Sequence, residues 1–143
     1  MTKRVFAVAV VSFLLVAAAA PLAAQTSRLT ANIPFEFNVG GKTMPAGEYE
    51  VWKAPTSAMI VLRGIDHRTS VLSIAMSDPI TSLDPATDSR LIFNRYGNQY
   101  FLHAVVIAYA AVEFRLPEVR AERELVKTAG LHQEQVLAVL ARR

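Results

Sequence analysis

The stretch RLIFNRYGNQYFLHAVVIAY, residues 90–109, decides the fold. Two apolar runs of strand length flank Gly97 and Asn98. Glycine supplies the positive φ that the first central position of a type II′ turn requires, and asparagine suits the second. A two-residue loop also sets the register. Tyr96 should face Gln99, Arg95 should face Tyr100, Phe93 should face Leu102, and Leu91 should face Ala104. Leu91, Phe93, Tyr100 and Leu102 then share one apolar face, with Arg95 at its rim over Tyr100. Such a face needs a second layer to cover it, so the body is expected to be mainly β.

Upstream, ANIPFEFNV (residues 31–39) alternates, with Ile33, Phe35, Phe37 and Val39 on one side and Pro34, Glu36 and Asn38 on the other. Pro34 cannot donate to a ladder, so this strand is expected to lie at an edge or to pair on one side only there. GGKTMPAG (40–47) is expected to be a turn. EYEVWK (48–53) alternates again, placing Glu48, Glu50 and Trp52 opposite Tyr49, Val51 and Lys53. AMIVLR (58–63) and TSVLSIAMS (69–77) are two further apolar runs. Asp78 to Ser89 is a polar loop with two Asp-Pro steps, which disfavour helix. The expected architecture is therefore about six antiparallel strands, curled into a small barrel or folded into a sandwich.

The period changes after Leu116. Pro117 suits a first helical turn, Glu118 its positive end and Lys127 its negative end. A helical segment is expected over 117–128, closed by Gly130. It carries the pair Arg120–Glu124 and a narrow apolar stripe of Val119, Leu125 and Val126. The segment 135–141 has helical propensity but also the continuous apolar run of a buried strand, and both assignments stand.

The chain opens with Lys3 and Arg4, then runs from Val5 to Ala20 without a charge, and Pro21 precedes LAAQ (22–25). Leu22 and Ala24 occupy the positions that a signal peptidase reads, so residues 1–24 have the pattern of a signal peptide. An uncleaved anchor is the alternative, because the apolar run approaches the roughly 20 residues of a membrane span. Pro21 and the small residues before Gln25 favour cleavage. Residues 25–143 then form a single β-rich domain of 119 residues, exported to the periplasm or beyond the cell. The whole chain has 15 Lys and Arg against 12 Asp and Glu, and the signal removes two of the bases, leaving +1. That balance gives no reason to invoke nucleic acid or an anionic membrane. A chain of this size buries roughly two thirds of its unfolded surface, so it folds without disulfides, in keeping with the absence of cysteine.

Three segments taken together, ANIPFEFNVGGKTMPAGEYEV, RYGNQYFL and LPEVRAEREL, resemble a group of small exported bacterial proteins of unassigned function. The resemblance covers about Ala31 to Lys127. It implies a signal peptide, a β-rich body and an Arg/Glu-rich segment near the C-terminus, and it brings no catalytic or binding residues. HAVVIAYAAVEF (103–114) is more apolar than the resemblance implies, and Glu118 stands where a lysine is more usual. Members of this group often end in a β-like segment, which favours a strand for 135–141.

Little in the sequence points to chemistry. Gly40-Gly41-Lys42-Thr43 matches the end of a P-loop, but the position of the required earlier glycine is Glu36, and a proline turn follows instead of a helix. His67, His103 and His132 are far apart, and only Asp66 adjoins one of them, so no metal set forms at ligand spacing. Asp78, Asp84 and Asp88 lack the rhythm of a calcium loop. There is no Gly-x-Ser-x-Gly elbow, and thiol catalysis is excluded. No cofactor is expected. Two patches remain as ligand-contact candidates. Glu48, Glu50 and Trp52 share one strand face and could hold a sugar or a peptide. Tyr96, Phe101 and His103 lie on the reverse side of the hairpin. The expected role is non-enzymatic binding or envelope structure, with an envelope component or a small ligand as partner and no membrane span after cleavage. The alternatives are a carrier of a small apolar ligand inside a barrel and an extracytoplasmic hydrolase using its paired carboxylates.

Overall fold

The computed structural model describes residues 28–55, 57–80, 88–129 and 134–142, and not the side chains of Ala129 and Arg142. The expected signal peptide at 1–24, Asp84, Gly130 and His132 lie outside the described residues. The fold is mainly β with one C-terminal helix. Its strands are β1 (Leu29–Ile33), β2 (Phe37–Val39), β3 (Lys42–Met44), β4 (Gly47–Lys53), β5 (Met59–Gly64) and β6 (Ser70–Ile74). They continue with β7 (Met76–Pro79), β8 (Arg90–Tyr96), β9 (Gln99–Ile107) and β10 (Val112–Arg115). The helix α1 (Arg120–Ala129) is followed by β11 (Glu134–Val139) and β12 (Ala141–Arg142).

A five-stranded sheet has the order β12-β1-β4-β5-β6, and a seven-stranded sheet contains β11-β8-β9-β10-β7 with the β2–β3 hairpin attached to β9. The two are stitched together at both sides. β6 passes into β7 through Ala75 alone, and β11 passes into β12 through Leu140 alone. Both hinge residues are buried. The outcome lies between a sandwich and a flattened antiparallel barrel, with β2 against β9 as the one parallel contact among the described residues.

Six expected strands thus become twelve segments, because several continuous apolar runs bend from one sheet to the other. The run 31–39 breaks at Pro34–Glu36, so Ile33 ends a strand of one sheet and Phe37 starts a strand of the other. Its alternation survives the break, since Ile33, Phe37 and Val39 are all buried. GGKTMPAG is more than a turn. Gly40 and Gly41 both have positive φ, 57° and 80°, as a type I′ hairpin requires, and Lys42–Met44 forms the return strand. The run 69–77 splits at Ala75 while still alternating Val71, Ser73 and Ala75 inward. Apolar 103–114 holds a 3-10 turn at Ala108–Ala110 and the additional strand β10.

The central hairpin forms as expected at its turn. Gly97 has φ 61°, while Asn98 is not among the positive-φ residues, the signature of type II′. Tyr96 pairs with Gln99, Arg95 with Tyr100 and Phe93 with Leu102. A bulge beyond Phe93 then shifts the ladder, so Leu91 faces Val105 instead of Ala104. Arg95 does sit over the Tyr100 ring, at 5.5 Å. The helix starts at Arg120 rather than at Pro117, with the Arg123 amide donating to the Val119 carbonyl. The ambiguous 135–141 segment is extended, and Leu140, between β11 and β12, donates its amide to the Ser89 carbonyl.

The interior is a chain of aromatic contacts. Phe37 meets Tyr49 of the five-stranded sheet at 5.3 Å and Phe93 of the other at 5.4 Å, both edge to face. Phe35 meets Phe93 at 5.2 Å and stacks on Tyr100 at 4.0 Å. Leu62, Val51, Leu91 and Val105 complete the packing.

A Cβ at Gly97 would meet nothing within 4 Å, so substitution there tests the backbone alone. Gly97→Val should lower stability by about 1–3 kcal/mol, the range for a residue forced into a disfavoured backbone region. Gly97→Asn should cost far less, because asparagine tolerates the left-handed region. Urea midpoints of the two variants check this.

Candidate functional site

Strand β4 does place Glu48, Glu50 and Trp52 on one outward face, but the three have different surroundings. Glu48 is exposed and lines a surface hollow of ≈ 330 Å³ with Thr30, Asn32 and Ile65. Glu50 is buried. A carboxylate leaves water only when paired, and Glu50 accepts from Arg63 at 2.8 Å and Arg28 at 3.4 Å. The same two guanidinium groups lie over the indole of Trp52, at 5.0 Å for Arg28 and 5.2 Å for Arg63. Strand register explains the grouping. Glu50 pairs directly with Arg63 on β5, and Arg28 immediately precedes β1, whose Leu29 pairs with Val51.

This cluster changes what the patch can do. A sugar stacks on a free aromatic face and hydrogen-bonds a free carboxylate, yet Trp52 is capped by guanidinium and Glu50 is engaged. What the face offers instead is apolar surface beside two arginines that Glu50 holds in place. Trp52, Val61 and Leu72 stand side by side across β4, β5 and β6, and Met59 stands beside Ile74 in the next row. Leu72, Ile74 and Met76 are 58%, 67% and 74% exposed. Single exposed apolar residues are ordinary, but a contiguous patch of them marks an interaction surface. The sequence did not single out Leu72, Ile74 or Met76. Their signal was present in TSVLSIAMS, where Leu72, Ile74 and Met76 share one face and the other carries the smaller Val71, Ser73 and Ala75.

The second candidate patch is not exposed. Tyr96 and Phe101 are 3% and 2% exposed, with their rings 6.0 Å apart. The helix α1 seats over this side of β8. Glu122, itself buried, accepts from the Asn94 amide at 3.0 Å and from the Tyr96 hydroxyl at 3.4 Å. The apolar stripe is not what seats the helix, since Val126 is exposed and Leu125 only partly buried. The third member, His103, is partly buried next to the bulge, and its carbonyl accepts the Leu116 amide. Tyr96, Phe101 and His103 thus belong to a packed layer and not to a ligand surface.

Asp66 and His67 lie in the turn between β5 and β6, where the Asp66 carboxylate accepts the Arg68 amide and His67 adopts φ 58°. Among the described residues no three His, Asp or Glu side chains gather as metal ligands do. A larger polar cleft of ≈ 610 Å³ opens between the β2–β3 and β8–β9 hairpins, lined by Glu36, Asn38, Thr43, Asn98, Gln99 and the Phe35–Tyr100 pair. Asn38 is tied to Thr43 at 2.9 Å, and the Tyr100 ring has Phe35 stacked on it at 4.0 Å and the Arg95 guanidinium at 5.5 Å. Against known proteins, the chain matches no family model, no curated sequence and no solved structure.

Trp52 is the only tryptophan, so its fluorescence reports the arginine cluster. Arg63→Ala leaves Glu50 without its 2.8 Å donor. It should cost about 1–3 kcal/mol, the range for a buried acceptor deprived of a partner, and shift the Trp52 emission. An unchanged midpoint and spectrum would show that the cluster does not persist in solution.

Burial, then the charge of Glu122, pushes the Tyr96 phenol up to about 12 from its ordinary 10.0. A raised phenol pKa contributes stability in full below pH 10, and that contribution is lost as the pH climbs from 10 toward 12. Urea midpoints should therefore fall over this window, and Tyr96→Phe should reduce the fall. An equal fall in both proteins would remove Tyr96 from the account.

Proposed function

We propose that this chain is an exported, non-enzymatic binding module that engages an envelope component through the outer face of its five-stranded sheet. The support for export is Lys3, Arg4, the apolar run Val5–Ala20 and the LAAQ site. The observation that carries the binding role is the exposed pair Leu72 and Ile74 in the rows of Trp52 and Met59, with Arg28 and Arg63 over the indole and Met76 continuing the line past the hinge at Ala75. Tryptophan, methionine and arginine are the residues that interfaces favour.

Two observations weigh against the alternatives. A carrier would need space between Phe35, Phe37, Phe93 and Leu102. Instead the three phenylalanine rings touch in sequence, and Phe37, Phe93 and Leu102 are buried. A hydrolase would need free titratable groups converging in one cleft. Here the buried carboxylates Glu50 and Glu122 hold arginines and a helix in place, and Glu48 stands at the surface.

The test is site-specific cross-linking in the producing cell. A photoreactive residue at Leu72 should give envelope adducts, and one at Tyr109, also exposed but outside this face, should not. The N-terminal mass of the recovered chain should start at Gln25. Adducts at Tyr109 alone, or at neither position, would contradict the binding face. A chain that keeps Met1 and stays in the cytosol would contradict export.

A further inference from the structure

We infer that two copies of this chain join edge to edge through β6, the end strand of the five-stranded sheet. The inference does not rest on the binding role proposed above. β6 is bonded to β5 on one side only, and the ladder fixes where its backbone groups point. The Gly64 amide donates to the Thr69 carbonyl at 2.8 Å, and the Ala75 amide donates to the Ala58 carbonyl at 2.9 Å. Antiparallel pairs alternate, so Thr69, Val71, Ser73 and Ala75 turn their backbone toward β5, while Ser70, Leu72 and Ile74 turn theirs outward. Among the described residues, the Leu72 amide and carbonyl and the Ile74 amide have no partner, and the Ile74 carbonyl has only the Ser73 hydroxyl at 3.4 Å. Both residues are exposed.

An open edge of this kind is a template for another strand, and proteins guard it with charge, proline or brevity. The other strands at the margins of the two sheets are guarded. β7 carries Asp78 and Pro79, β3 has three residues with Lys42 among them, β12 has two residues and ends in Arg142, and β11 opens on Glu134. β6 reads Ser-Val-Leu-Ser-Ile, with neither charge nor proline. Donors and acceptors spaced along an extended backbone are matched by a second extended backbone, as when a strand is added to a sheet. That requirement distinguishes the edge from the apolar face beside it, which asks only for apolar cover.

The strand that fits is a second β6. Lys42 donates from Nζ to the outward carbonyl of Ser70 at 3.1 Å, so the groups left over are those of Leu72 and Ile74. A twofold axis at Ser73 uses all of them. Leu72 then lies opposite Ile74 of the second copy, Ile74 lies opposite its Leu72, and each pair exchanges two hydrogen bonds. Ser73 meets its own counterpart at the axis, where the strands approach most closely and a small side chain is suited. A twofold axis at Leu72 would instead call on the Ser70 carbonyl that Lys42 holds. The side chains agree with the backbone. The outward row Trp52–Val61–Leu72 would run on into Ile74 and Met59 of the second copy, giving each exposed Leu72 and Ile74 an apolar cross-strand neighbour.

The experiment takes the chain as recovered from its producing cell and follows its mass by sedimentation equilibrium as the concentration rises. A reversible dimer is expected, and a monomer at every concentration would overturn the inference. The double variants Leu72→Lys, Ile74→Lys and Leu72→Glu, Ile74→Glu place like charges opposite each other, so each alone should dimerise at least tenfold more weakly, while an equal mixture of the two should recover the dimer. Either variant dimerising as well as the parent chain, or no recovery on mixing, would overturn the pairing. Ser73→Cys separates the edge from the outer face. The chain has no cysteine of its own, and the pair at the axis brings Cα atoms to about 4.5 Å, within the range a disulfide spans. Mild oxidation should therefore link Ser73→Cys into a dimer. Leu137→Cys, at an exposed position of β11, should link at least tenfold less. Two copies stacked through their outer faces would leave position 73, on the inner face, unlinked, and equal linking of the two variants or none at position 73 would contradict the inference.

Discussion

Phe37 holds the two sheets together. It stands edge to face on Tyr49 of one sheet and on Phe93 of the other, at 5.3 and 5.4 Å, and is itself fully buried. Edge-to-face rings gain beyond the area they bury, and here the gain connects strands that share no ladder. The constraint spreads outward. For Phe37 to reach the middle, β1 must end at Ile33 and the chain must cross between sheets at Pro34–Glu36. The rings of Phe35, Phe37 and Phe93 fill the centre, and the recognition proposed above lies on the outside of the molecule.

Two buried carboxylates organise that outside. Glu50 gathers Arg28 and Arg63 over Trp52 on one side of the body. On the other, Glu122 brings α1 down onto Asn94 and Tyr96. A buried charge costs free energy unless its partners are in place, so each carboxylate fixes the geometry around it. The results differ in kind. The helix covers its aromatic residues and makes a packed layer. The arginine cluster leaves Leu72, Ile74 and Met76 uncovered beside it.

Local chemistry was legible in the sequence. Gly97 and Asn98 announced their turn, and the register followed as far as Phe93 and Leu102. Alternation correctly assigned the inward residues Tyr49 and Val51 and the outward Trp52. The hinges were not legible, because alternation runs straight through Ala75 and Leu140 while only the neighbouring strand changes. Glu50 had the right face and the wrong environment. Its partners come from 22 residues upstream and 13 residues downstream, and no local pattern announces such a meeting. Tyr96 and Phe101 failed as surface candidates for the same reason, since the helix that covers them arrives from beyond residue 119.

The central claim is that the interior is closed to ligands and that the outer face of the five-stranded sheet does the binding. An NMR titration of the labelled chain with decanoate, a small anionic amphiphile, tests both halves at once. Amide shifts confined to Trp52, Val61, Leu72 and Ile74, with Phe37, Phe93 and Leu102 unmoved, are the predicted result. Saturable shifts at Phe37, Phe93 and Leu102 would contradict it, because they would place the ligand where the aromatic rings are packed.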